Sequence, residues 1–163
     1  MIERLLQDHA RIREVAKALR EIFLNPEPCD MGLLAEVRWE MASTLMTHLA
    51  FEDRHFYSKL ERDPRPHIQA AGGKFRDELT DIFQAYTAHA KEWPPHRICR
   101  EWETYRMTSL HFIALLLDRA DREEDELYSL VETAGIETLS SNAVSTSWAH
   151  GAFEIKDRLR EGL

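Results

Sequence analysis

Cysteine is scarce. Cys29 and Cys99 are the two in 163 residues, far apart and without a CxxC pair. That argues against a disulfide scaffold and predicts a reducing, cytoplasmic setting. Glycine and proline number six each, which excludes collagen-like and low-complexity chains. Long hydrophobic runs are missing too. The strongest, Phe112–Leu117, falls far short of the ~20 residues of a membrane span. The start, MIERLLQDHA, has none of the basic, apolar, small-residue order of a signal peptide. Basic charge is in deficit, with 21 Lys plus Arg against 29 Asp plus Glu and a formal net charge of −8. That balance argues against nonspecific nucleic-acid binding and against an anionic membrane surface. No Ser/His/Asp order, Gly-rich phosphate loop or Walker motif is present.

What remains is an ordinary globular composition, 44% hydrophobic and 31% charged, at the length of one domain. The few prolines and glycines cluster, and the clusters divide the chain. Asn25-Pro26-Glu27-Pro28, Asp63-Pro64-Arg65-Pro66 and Trp93-Pro94-Pro95 close three segments, and Gly135 follows a fourth as a helix C-terminal glycine would. Within each segment apolar residues recur at helical steps of three and four. Leu5, Ile12, Ala16, Leu19 and Phe23 mark the first segment; Leu34, Val37, Met41 and Leu45 mark the second. Ile68, Phe75, Leu79, Ile82 and Tyr86 mark the third; Ile98, Trp102, Tyr105, Phe112, Leu116, Leu127 and Leu130 mark the fourth. Gly72-Gly73 is a place where the third segment can kink or divide. The fold expected is all-α: an up-down-up-down four-helix bundle over residues 1–134. A linker and a short amphipathic helix carrying Trp148, Ala152, Ile155 and Leu159 are expected over 135–163.

Polar residues interrupt these stripes. His9 lies on the first inward face, His48, Glu52 and His55 on the second, and Arg119 and Glu123 on the fourth. In an alternating bundle these positions fall in one layer, at the end away from the Pro26 and Pro94 loops. Buried charge is costly unless paired or bound to a metal. His48 and Glu52 stand at i and i+4, so they point the same way, and imidazole with carboxylate suits iron, zinc or manganese. By itself that spacing fits a structural role as well as a ligand pair. Glu52-Asp53-Arg54-His55 is also an ExxH, but the fourth segment lacks the second copy that a ferritin-like oxidase requires.

With its flanks, the pattern is more specific. Asp8-His9 is followed by His48-Leu49-x-x-Glu52-Asp53-x-x-Phe56-Tyr57 and later by Arg119-x-x-x-Glu123-Glu124-x-x-Leu127-Tyr128. This resembles the hemerythrin-like, or HHE cation-binding, domains. The resemblance implies a bundle in which His9 and His48 hold one iron and Glu52 and Glu123 bridge to a second. Glu124 is a one-residue alternative to Glu123. The second iron would take histidines where this chain has Leu79 and Arg119. One half-site is therefore intact and the other dismantled, which argues against a di-iron oxygen carrier.

Two physical readings follow. In one, His9, His48, Glu52 and Glu123 hold one Fe or another divalent ion, with His55 assisting from the next turn. In the other, the Arg119 guanidinium pairs with Glu52 and Glu123 and no metal binds at all. The function expected is a non-catalytic cytoplasmic domain with a degenerate di-iron site, acting in regulation or through a protein partner. The alternative is a mononuclear metal protein that senses or stores iron, oxygen or nitric oxide. A homodimer through the C-terminal helix is a further expectation.

Overall fold

The structure is a computed structural model and describes residues 1–136. The expected C-terminal helix, and any dimer built on it, lie outside the described residues. Among the described residues every regular element is helical. Helix α1 spans Ile2–Leu24 and buries Leu5, His9, Ile12, Ala16, Leu19 and Phe23 together with Val15. Helix α2 spans Met31–Glu52. Asp30 caps its start, its side chain accepting from Leu33 N at 3.0 Å. Helix α3 spans Pro66–Glu92, α4 spans Pro95–Arg100 and α5 spans Trp102–Arg122. Proline opens α3 and α4 at the first helical position, where its missing N–H costs nothing.

The helices alternate in direction. The end of α1 meets the start of α5, where Trp102 Nε1 donates to Asn25 O at 3.3 Å and Arg106 donates to Phe23 O at 3.1 Å. The start of α2 meets the end of α3, where Arg38 donates to Trp93 O at 3.3 Å. No described helix is long and apolar enough to cross a membrane. Cys29 and Cys99 are free thiols.

Three local features differ from the periodicity. The fourth segment is two helices, because Glu101 leaves the helical region (φ −121°, ψ 40°) and lets Trp102 turn onto Phe23 and Tyr105. Gly72-Gly73 does not divide the third segment; α3 runs through it. The third difference matters most for the site. Helix α2 continues into a π-helical turn, Asp53–Tyr57, and then a short α-helical piece, Ser58–Leu60. Helix α5 likewise continues into a π-helical turn, Glu123–Tyr128, and ends at Ser129–Thr133. Gly135 (φ 61°) closes that helix, with Ile136 N donating to Val131 O and Gly135 N to Glu132 O. This is the Schellman arrangement that glycine allows without strain.

Gly72 has a packing reason. A Cβ there would sit 2.6 Å from Leu60 Cβ, whereas one on Gly73 would meet nothing within 4 Å. Gly72→Ala should therefore destabilise by about 1–3 kcal/mol through overpacking, while Gly73→Ala should stabilise by about 0.5–1 kcal/mol. Urea unfolding of both variants checks this, and equal shifts would refute the close approach of α2 and α3.

At the end of the bundle near Asn25 and Trp93, Phe23, Trp93, Trp102 and Tyr105 pack with ring centroids 5.4–6.1 Å apart. His89 joins them, its Nε2 3.3 Å from Ser109 Oγ. Burial, and then the Arg38 charge, push His89 down to about 4. The native ring is thus neutral where the unfolded ring takes a proton. Its contribution to stability is complete above pH 6.5 and is lost as pH falls from 6.5 towards 4. Buried His48 acts in the same sense, its pKa also lowered first by burial. His89→Gln should make the fall in urea midpoint across that window shallower; an unchanged slope would contradict it.

Candidate metal centre

Helical intervals deliver the polar side chains to one layer. His9 comes from α1, His48 and Glu52 from the last turns of α2, Arg119 from the end of α5 and Glu123 from the first position of the π turn that continues it. All five side chains are buried. One donor atom from each of His9, His48 and Glu123 lies within 4.8 Å of the other two. His9 Nε2 is 3.2 Å from His48 Nε2 and 3.3 Å from Glu123 Oε2. Glu52 Oε2 is 3.7 Å from His48 Nε2. Ligand atoms around a tetrahedral ion at ~2.0 Å stand about 3.3 Å apart.

The hydrogen bonds outside this cluster decide what faces in. Glu124 is not a fifth donor. Its Oε1 accepts from His9 Nδ1 at 2.8 Å and from Arg13 at 2.8 Å. Burial raises the Glu124 carboxyl, but hydrogen bonds from Arg13 and His9 hold it below the ordinary value. An ionised carboxylate only accepts, so Nδ1 carries a His9 proton and Nε2 is the nitrogen that faces inward. Behind the second ring, Asp8 Oδ2 stands 3.8 Å from His48 Nδ1, at ion-pair rather than hydrogen-bond distance.

The two π turns supply the carboxylate partners. Tyr57, from the first turn, donates to Glu123 Oε1 at 2.9 Å. Tyr128, from the second, donates to Glu52 Oε1 at 3.1 Å. Each turn thus holds the carboxylate of the other helix. Burial, and then the Glu52 and Glu123 charges, push both phenols far up, so they stay protonated and act as donors. Each carboxylate spends its Oε1 on protein donors. Glu123 Oε2 faces His9 Nε2, and Glu52 Oε2 is buried without a hydrogen-bond partner. Burial, then the charge of Glu123, push the Glu52 carboxyl well above its ordinary value. Glu123 is also raised by burial, but the His9 hydrogen bond and the Arg119 charge outweigh this and leave it lowered.

Arg119 fills the other side. It pairs with Glu123 Oε1, donates to Tyr57 Oη at 2.9 Å and to Phe75 O at 3.0 Å, and lies 3.9 Å from Glu52 Oε2. Its NH1 also stands 3.6 Å from Glu78 on α3. Leu79, the next residue, is fully buried. His55 does not reach the cluster. The π turn advances the inward positions to Phe56 and Tyr57, leaving His55 half-buried on the Phe51 ring, centroids 4.7 Å apart.

The donor set is a candidate site for one cation. Two imidazole nitrogens and the Glu123 carboxylate oxygen converge, with Glu52 Oε2 near His48 but outside that group; nitrogen and oxygen donors of this kind suit iron, zinc or manganese. An orphaned buried oxygen and two facing imidazole nitrogens are what such an ion would satisfy. Beyond Glu123 and Glu52 stands the Arg119 guanidinium, which keeps its charge at any working pH.

Sequence reasoning placed Asp8, Tyr57 and Tyr128 in the motif but gave them no role, and it did not find Glu78. A signal was present for the tyrosines: each stands five residues after its helix's buried glutamate, as Glu52 to Tyr57 and Glu123 to Tyr128.

No curated protein and no solved structure matches the chain. Comparison with known families matches residues 1–131, nearly all of the described bundle, to the hemerythrin HHE cation binding domain. With a helical bundle that gathers histidine and glutamate from three of its helices, the chain belongs to the hemerythrin HHE cation-binding family.

Proposed function

We infer that this domain binds a single divalent cation, iron foremost, through His9, His48, Glu52 and Glu123, and that Arg119 stands in for the second ion of a two-ion site. The observation that carries this is Glu52 Oε2, buried and without a partner, beside two imidazoles whose nitrogens face each other at 3.2 Å. An entirely arginine-filled site would spend that oxygen on Arg119, which instead stands 3.9 Å away. A bound cation would supply Lewis acidity and, for iron, a one-electron couple. The chain's own residues hold the site's shape. Glu124 fixes the His9 tautomer, and Tyr57 and Tyr128 keep one oxygen of each glutamate turned away.

The cavity beside His9, His48, Arg119 and Glu123, otherwise walled by apolar side chains, measures about 10 Å³, space for one water or ion. That size supports a non-catalytic role, in which the cation state of a degenerate site is read out by regulation or a partner. The test is metal content per chain, by mass spectrometry, before and after anaerobic Fe(II) loading and desalting. About one ion is expected in the parent and none in His48→Gln. Zero ions in the loaded parent would overturn the reading in favour of a metal-free, arginine-filled bundle. Two would show that Arg119 does not block the second position.

A further inference from the structure

Arg38 stands apart from the other arginines. Every other buried or half-buried arginine among the described residues lies within 4 Å of a carboxylate: Arg13, Arg65, Arg76, Arg97, Arg106, Arg119 and Arg122. Half-buried Arg38 has a single hydrogen bond, from one terminal nitrogen to Trp93 O at 3.3 Å, and a ring contact, its guanidinium carbon 5.5 Å from the Tyr105 centroid. In a chain of net charge −8, a half-buried guanidinium without an anion is an unspent recognition group.

It lines two cavities, a narrow aromatic one of about 40 Å³ with Tyr86, His89 and Tyr105, and a wider cleft. Between the first turns of α2 and α4 lies a cavity of about 150 Å³, walled by Met31, Leu34, Ala35, Pro95 and Ile98 with Arg38 as its charged member. Leu34 and Ile98 are buried and form the floor; Gly32 and Pro95 are exposed and form the mouth. The walls otherwise carry only apolar side chains. An apolar cavity of about 150 Å³ is large enough to admit benzene. Asp30, beside the mouth, is committed to capping α2 through Leu33 N.

We propose that this cleft binds a small amphipathic monocarboxylate, its carboxylate on Arg38 and its benzene-sized body against Leu34, Ala35 and Ile98. The planar fork of a guanidinium matches a carboxylate. The apolar wall favours a body without further charge. This site is at the opposite end of the bundle from His9 and His48 and does not depend on the metal centre.

The probe is benzoate, titrated into the full chain by calorimetry and followed by amide chemical shifts. Benzyl alcohol serves as the uncharged analogue and inorganic phosphate as an anion without a body. The expected result is saturable binding of one benzoate per chain, with shifts centred on Leu34, Ala35 and Ile98. Arg38→Gln should weaken it about ten- to a hundredfold, the range of a lost charge-assisted hydrogen bond, and bring it to the level of benzyl alcohol. Ala35→Leu, which fills the cleft and keeps the charge, should weaken it comparably, so the result does not hang on one variant's folding. His48→Gln should leave it unchanged. Benzoate binding left unweakened by Arg38→Gln, or by Ala35→Leu, would overturn the proposal. So would no saturable binding, or phosphate binding as tightly as benzoate.

Discussion

Arg119→Met should cost about 3–5 kcal/mol of folding stability, the penalty for removing one partner of a buried ion pair. Arg119 and Glu123 are both nearly inaccessible, and Glu52 beside them is fully buried. Taking away the guanidinium leaves Glu123 Oε1 with the Tyr57 hydroxyl alone. It also leaves two carboxylates facing one another without a protein cation between them. Adding Glu123→Gln to Arg119→Met should recover a large part of the loss, since the amide no longer needs a counter-charge. Urea unfolding at neutral pH, with both single variants and the double, closes the cycle. A loss below about 1 kcal/mol, the level of an exposed pair, would mean that Arg119 is not the internal cation described above. Divalent ions should stabilise Arg119→Met more than the parent, because a bound ion then offsets the exposed need for positive charge.

The second large effect is on stoichiometry. Leu79→His combined with Arg119→His should raise the ions held per chain from one to two. The guanidinium that repels a second cation at ~4 Å, worth several kcal/mol at intermediate dielectric, is gone. Two imidazoles take its place, one from α5 and one from the turn of α3 that already touches Arg119 through Phe75 and Glu78. Glu123 Oε1, released from Arg119, becomes free to bridge. Metal analysis after anaerobic Fe(II) loading reads the outcome directly. If the double variant still holds one ion, the charge of Arg119 is not what closes the second position.

The bundle and its polar layer were legible because both depend on interval. The α1 positions Leu5, His9, Ile12, Ala16, Leu19 and Phe23 follow one helical face, and all are buried. The convergence of His9, His48, Glu52, Arg119 and Glu123 followed from the same steps plus alternating helix directions. What intervals cannot carry is a change of helix type. A strict α-helical period after Glu52 places His55 inward; the π turn places Phe56 and Tyr57 there instead. After Glu123 the period gives Leu127 and Leu130, whereas the structure buries Leu127, Tyr128 and Val131. Glu124 looked interchangeable with Glu123 because neighbours in sequence share a charge. Only the backing of His9 Nδ1 by Glu124 and of Arg119 by Glu123 separates an outer partner from an inner donor.

The paired π turns also set how the chain tolerates changes of length. A residue in an α-helix advances the side-chain direction by about 100°, and each π turn accommodates one surplus residue. Upstream and downstream of Glu52, α2 therefore runs in two different phases, and the same holds across Glu123 in α5. Deleting a single residue from Asp53–Tyr57 would restore one phase throughout, rotate Leu60 off its seat over Gly72 and withdraw Tyr57 from Glu123. A deletion in the exposed Glu27–Pro28 loop would do neither. Indels are thus confined by two one-residue phase shifts, each placed directly at a buried glutamate.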